Sequence, residues 1–363
     1  MNQKKKIKKK AAFIDHSFHK KTKATQFLIE LLSKEYDIET IWDESWEGGD
    51  SISVNYLNEN NFHTIFFFQI LPPLSYLKQL NCKNLVWFPM YDQEGGKHYT
   101  SYIPYLDLNL KIFSFSKKLY ENLKKACPNC YYYKYHLKPV DVPSTDNNSK
   151  RVFFWVRTSH ITWSTVKKLL GRNDIETVIM KLTPDPNFKI DIPSEEDIDK
   201  YNIQLIDHWL DKEEYNKLLS SCNIFISPRQ SEGIGMSFIE ALSRGMCVIA
   251  CDNPTMNEYI IHGKNGLLYD LQNPKELDIS NLDEICKNAV KIAKEDYDSW
   301  EKSKHKILID LTKPDKKLTS MKLLYLKAAY THSLIYPKLT SIILFPLVKL
   351  KTVLKTCLKA FYS

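Results

Sequence analysis

Twice along this chain, short apolar runs rich in Val, Ile, Phe and Tyr alternate with longer segments whose apolar residues recur every three or four positions. This alternation constrains the fold more than any other feature, because strands joined by helix-length crossovers pair in parallel and carry helices on both faces. The first series predicts strands over 11–15, 37–42, 64–69, 85–90, 112–115 and 131–135, with a helix over 24–33. The second predicts strands over 151–156, 176–182, 203–206, 223–227, 247–250 and 267–269. Its helices are expected over 165–170, 212–220, 236–243, 282–295 and 298–312. Between the series, 141–150 is rich in Asp, Ser, Asn and Pro and lacks periodicity, the mark of a linker. The expected fold class is therefore α/β, two Rossmann-like doubly wound domains over 11–140 and 151–312, followed by a tail over 316–363. Such sheets bind ligands at the carboxyl ends of their strands, so a cleft between the domains is the expected site.

The net charge of +8 conceals a partition. Fifteen of the 51 Lys and Arg lie in two acid-free ends, 4–10 and 316–363, leaving 36 against 43 acidic residues and a body of net −7. An acidic body argues against a nucleic-acid groove, so no nucleic-acid partner is expected. With 43% hydrophobic residues the chain can fill two cores, which excludes a disordered protein. Eight cysteines are too few for a disulfide framework, and Cys127 with Cys130 forms a lone Cys-Pro-Asn-Cys without a second pair. No signal-peptide pattern follows the basic N-terminus and no uncharged stretch reaches ~18 residues, so the expected compartment is the cytoplasm.

Only ten glycines occur, and five fall between Gly233 and Gly266. The segment Glu232-Gly-Ile-Gly235-Met-Ser-Phe-Ile-Glu240 follows an apolar strand and opens a helix. A glycine turn into a helix N-terminus gathers unpaired N–H groups and the positive end of the helix dipole, a ready anion site. Glu232 and Glu240 flank it, and carboxylates suit the paired hydroxyls of a sugar or ribose.

This segment resembles the family-4-type glycosyltransferases of GT-B fold. Glu232 to Leu242 matches their Glu-x7-Glu motif, 245–250 the following strand, and 254–268 the loop beyond. By that resemblance Glu232 contacts the transferred sugar, Glu240 the ribose, and the backbone of Gly233, Ile234, Gly235, Met236 and Ser237 the donor diphosphate. Cationic help is expected from Arg157 and Lys181, each at a strand end, and from Arg229. The sequence departs from the family pattern here, since Thr162 stands where a lysine is usual. His208 and Trp209 occupy the loop where the family holds the nucleotide base, and a Trp face can stack on one.

In the first domain, His16, His19 and Thr22 follow the first strand where the family has a glycine-rich turn. Asp92 follows the strand 85–90. These loops are expected to bind acceptor, with Asp92 the foremost polar candidate for the reaction. Asp197-Ile-Asp199 reads as a polar loop without a metal, and neither metal nor cofactor is expected.

The expected function is glycosyl transfer from a nucleotide diphosphate-sugar to an acceptor hydroxyl, with retention implied by the resemblance. A sugar-nucleotide epimerase, a phosphorylase of the same architecture and an inert membrane-surface scaffold remain alternatives. Lysine- and asparagine-rich composition is associated with a bacterial enzyme of surface polysaccharide assembly. Leu347, Leu350, Leu354, Leu358 and Phe361 share one helical face with lysines around it, which predicts a basic amphipathic tail on an anionic membrane, with packing of the tail on the first domain as the alternative. A peripheral location on the inner face of the cytoplasmic membrane and a lipid-linked acceptor follow as expectations.

Overall fold

The computed structural model describes residues 7–140, 149–185 and 188–335. Two six-stranded sheets form, and every strand pair is parallel. The first holds β1 (Lys9–His16), β2 (Tyr36–Asp43), β3 (Thr64–Phe68), β4 (Leu85–Phe88), β5 (Lys111–Ser114) and β6 (Cys130–Tyr132), in the order 2-1-3-4-5-6. The second holds β7 (Arg151–Trp155), β8 (Thr177–Lys181), β9 (Ile203–Ile206), β10 (Ile224–Ile226), β11 (Cys247–Cys251) and β12 (Gly266–Tyr269), in the order 12-11-10-7-8-9. In each sheet the direction of winding reverses once. The reversal lies between β1 and β3 in the first and between β7 and β10 in the second. Ligand crevices open at these switch points, outside the carboxyl ends of the strands.

The interior strands carry near-continuous apolar runs because helices cover both faces of a parallel sheet, while the edge strands β2 and β9 are partly exposed. All five residues of β3 and of β11 are buried. The two domains share a packed border. Trp300, on the long helix Leu282–Ser303, meets Phe27, Phe115 and Tyr135 of the first domain edge-on. Glu258 of the second domain accepts hydrogen bonds from Ser116 Oγ, Lys117 N and Lys118 N at 2.7–3.0 Å, satisfying the start of the helix Lys117–Leu123.

Three expectations need correction. The C-terminal helices divide at Lys304 rather than near 296, because no Gly or Pro interrupts 282–303 and buried Trp300 carries the apolar stripe onward. Asp197 lies on the helix Glu195–Lys200, not in a loop, and is held by Trp163 Nε1 and Lys167 Nζ at 2.9 and 2.6 Å. The basic tail is not wholly separate from the body. A helix over 320–335 lays Leu326 into the first domain's core, and Asn129 Oδ1 accepts from Lys316 N at 2.7 Å. The amphipathic face expected over 347–361 lies outside the described residues. No helix of the described residues is long and apolar enough to cross a membrane.

Candidate active site

The switch point of the second sheet gathers the charged residues. Arg157, just beyond β7, donates from Nε and Nη2 to Asp185 Oδ1 at 2.9 and 2.7 Å. Arg229, beyond β10, donates from Nη2 to Asp185 Oδ2 and from Nη1 to Asp92 Oδ2 at 3.5 Å, reaching across to the first domain. Glu232 is buried, and its Oε1 has no partner among the described residues. Burial holds its carboxyl above the usual range, opposed by the guanidinium groups of Arg229 and Arg157. Asp92 is likewise pushed up by burial against the pull of Arg229, and its Oδ1 is unpartnered.

The turn before the helix Met236–Ser243 has the geometry of an anion cradle. Gly235 sits at φ +82° as the N-cap, with no side chain capping the first-turn N–H groups. A Cβ there would lie 1.9 Å from the Phe238 ring, so only glycine fits. Gly233 lies close against the first domain, since a Cβ on it would meet Met90 at 2.8 Å. Glu240 Oε1 accepts at 2.9 Å from Nη2 of Arg244, the residue that caps the end of this helix, so this oxygen is already engaged.

Lys181 ends β8 with its Nζ 3.8 Å above Trp155 and 4.6 Å above Trp209, and donates to Thr183 Oγ1. Lys21 of the first domain lies 4.0 Å over Trp209. The tryptophan expected to stack on a base is thus half-exposed and flanked by cations. His208 is solvent-exposed beside Asp207 and is not brought to the Glu232 group. Thr162 caps the helix Trp163–Leu170 instead of supplying a charge. Asp185 was not singled out from the sequence. It is one acid in an irregular loop, and only its place four residues past the end of β8 hinted that it faces the ligand crevice.

Burial, with Arg157 and Lys21 nearby, drives the Lys181 ammonium down to about 8. A bound diphosphate would favour its charged form. Diphosphate affinity is therefore expected to weaken as pH rises through 8, about tenfold for each unit by which the ligand raises that pKa. Titration calorimetry at pH 7 and 9.5 checks this, and Lys181→Arg should flatten the dependence because arginine stays charged.

Among the described residues, Asp15, His16 and His19 place possible metal-ligand atoms within 4.8 Å of one another. The carboxylate is already taken by His19 Nδ1, His16 N and Thr25 Oγ1 at 2.8–2.9 Å, which makes this a hydrogen-bonded group. Burial pushes the Cys127 and Cys130 thiols up, away from thiolate chemistry.

Six of the nine buried side-chain polar atoms without a partner among the described residues belong to His16, Asp92, Thr158, Ser227, Arg229 and Glu232. Each ends or follows a strand that borders the crevices, apart from Asp92 beyond the neighbouring β4. Buried polar atoms are costly unless paired, so their gathering marks where a polar ligand belongs.

The architecture matches solved structures closely enough to settle its class. An Anabaena protein, HepE, solved with UDP and glucose, aligns with TM-score 0.55 at 14% identity over 83% of this chain and 100% of that one. The fold is GT-B. A glycosyltransferase from Rickettsia africae gives TM-score 0.54 at 15% identity over 84% and 99% of the two chains. Within the GT-B second domain, residues 196–302 match the family model described as glycosyl transferases group 1. An uncharacterized glycosyltransferase of Methanocaldococcus jannaschii is 32% identical over 97 residues, 25% of this chain and 28% of that relative. The chain thus matches little more than a quarter of that curated relative's length.

Proposed function

We propose that this chain is a glycosyltransferase that moves a sugar from a nucleotide diphosphate-sugar to an acceptor hydroxyl. The observation that carries the reading is the meeting of Arg157, Arg229, Glu232 and the uncapped helix start after Gly235 at the second sheet's switch point, opposite Asp92. The helix N–H groups, Arg157 and Lys181 would hold the diphosphate, Glu232 the transferred sugar, and Glu240 the ribose after exchanging its Arg244 contact. Fixed cations and dipoles aimed at a leaving diphosphate stabilise charge as it develops, so the reaction is proposed to need no divalent ion. Asp185 would hold the two arginines in place between turnovers. The UDP in the HepE structure supports a nucleotide donor, and the resemblance to family-4-type enzymes supports retention at the anomeric carbon.

The test is a titration with UDP, GDP and ADP. Micromolar binding of one of them, weakened at least ~10-fold in Arg157→Ala, is expected from losing a charge-assisted contact. No binding of any nucleoside diphosphate would revive the inert-scaffold alternative.

The acceptor is proposed to be lipid-linked or part of a surface polysaccharide, reached at the inner face of the cytoplasmic membrane. Nine lysines and no acid follow Asp315, and Met321, Leu324, Tyr325, Leu334 and Ile335 are exposed on the docked helix 320–335. Each lysine near an anionic surface contributes about 1 kcal/mol. Because 320–335 is packed on the body, truncation after Ile335 should leave the fold intact. The truncated protein is expected to leave anionic liposomes at low salt while the full chain co-sediments; equal co-sedimentation would remove the support for a membrane role of 336–363.

A further inference from the structure

The switch point of the first sheet, between β1 and β3, is closed over by one pair of side chains. His16 ends β1, Gln69 directly follows β3, and His16 Nε2 lies 3.0 Å from Gln69 Oε1. With the Gln69 amide assigned oxygen-first toward Nε2, that oxygen can only accept, which assigns the imidazole proton to Nε2 and leaves the lone pair on Nδ1. That Nδ1 is buried and has no partner among the described residues. Gln69 holds this arrangement with its backbone at φ +65°, a left-handed conformation uncommon for a residue other than glycine. Its own carbonyl is fixed by Trp87 Nε1 at 3.0 Å. Trp46 and Phe18 stand beside the imidazole, with ring centroids 5.4 and 6.5 Å away. Such half-buried rings are suited to the apolar face of a sugar.

We infer that His16 Nδ1 is the positioning group for the acceptor hydroxyl, accepting its hydrogen bond, and that Gln69 sets the tautomer that makes this possible. The inference rests on the glycosyl-transfer reading and names the acceptor as a carbohydrate-type alcohol seated against Trp46 and Phe18. Four charged or titratable groups bear on the imidazole and its surroundings. Asp15 and His19 lie on its own side, Arg229 reaches it from the facing domain, and Asp92 is joined to Arg229. Burial, His19 and Arg229 outweigh Asp15 and hold His16 down at about 4, so the lone pair persists through pH 5–7.

Gln69→Glu gives the sharpest test. A carboxylate beside Nε2–H favours imidazolium and raises the His16 pKa, so protonation caps Nδ1 at a higher pH. The experiment measures consumption of a panel of UDP-, GDP- and ADP-sugars by the full chain, with water alone and with p-nitrophenyl glycosides as acceptor probes. For a donor that is consumed, His16→Ala is expected to lower kcat/KM for the glycoside about 10–100-fold with donor KM unchanged, and to lower hydrolysis by water by a smaller factor, because water lacks the apolar face that seats the glycoside. His16→Asn, which restores an acceptor atom, should recover part of the loss, and Gln69→Glu should move the acid limb of transfer to higher pH. The inference is overturned by wild-type transfer in His16→Ala, by an unmoved acid limb, or by equal losses of hydrolysis and transfer. Consumption indifferent to every glycoside also overturns it, whereas a chain that consumes no sugar nucleotide defeats the underlying reading itself.

Discussion

Glu232→Gln is expected to lower turnover at least ~100-fold, the effect of removing one group placed for the transition state, while the melting temperature stays the same or rises. The two halves of this expectation have one cause. Glu232 is buried with Oε1 unpartnered, and burial already disfavours its charge, so the carboxylate contributes little to folding. Residues kept at a cost to stability are those a reaction uses. The amide keeps the shape and removes the charge that would face positive charge developing on the sugar. Turnover and thermal unfolding of the purified variant check both halves. Near wild-type turnover would sink the assignment, and a large loss of stability would show that Glu232 is structural.

Gly235→Ala should act in the opposite way, through the backbone. At φ +82° an alanine is strained, and its Cβ would fall 1.9 Å from Phe238, a fully buried ring. Left-handed strain and overpacking together predict about 2–5 kcal/mol of destabilisation. The same shift moves the helix start, so nucleoside diphosphate affinity should drop by ~10-fold or more. Gly263→Ala is the control. It shares a positive φ of +74° but would meet nothing within 4 Å, so only the strain of about 1–2 kcal/mol is expected, with binding intact. Equal effects at both positions would mean that Gly235 serves the fold and not the ligand.

The legibility of these features in the sequence differed by region for physical reasons. In the second domain, Ile203–Ile206, Lys212–Ser220 and Met236–Ser243 lie where the sequence pattern puts them. Each helix is announced by a residue that fixes its start, the capping box of Asp211 with Glu214 and the turn at Gly235. The first domain shows one helix in its pattern, Gln26–Leu32 within the expected 24–33, and hides others. Val54–Glu59 and Lys117–Leu123 are too short for a clear periodicity, and the 3-10 segment Tyr99–Leu108 contains Pro104. Within the site, Glu232, the glycine turn and Arg157 were legible because the chain places them next to strand ends. Asp185 and the pairing of His16 with Gln69 were not. Asp185 depends on the register of β8 beside β7, and His16 with Gln69 depends on the order β1-β3 in the sheet, neither of which a linear pattern contains. For 320–335 the sequence left membrane contact and packing on the first domain both open, because its lysines and exposed apolar residues conceal the buried Leu326.

The most direct test of the central claim is product analysis with sugar nucleotides. Full-length protein is incubated with UDP-, GDP- and ADP-sugars, with and without hydroxyl acceptors, and free nucleoside diphosphate is quantified beside the glycosylated product. The account predicts that one donor releases nucleoside diphosphate in step with acceptor glycosylation, and that Glu232→Gln abolishes both while still binding the nucleotide. An epimerised sugar nucleotide, a sugar phosphate in place of the nucleoside diphosphate, or undiminished transfer by Glu232→Gln would contradict it.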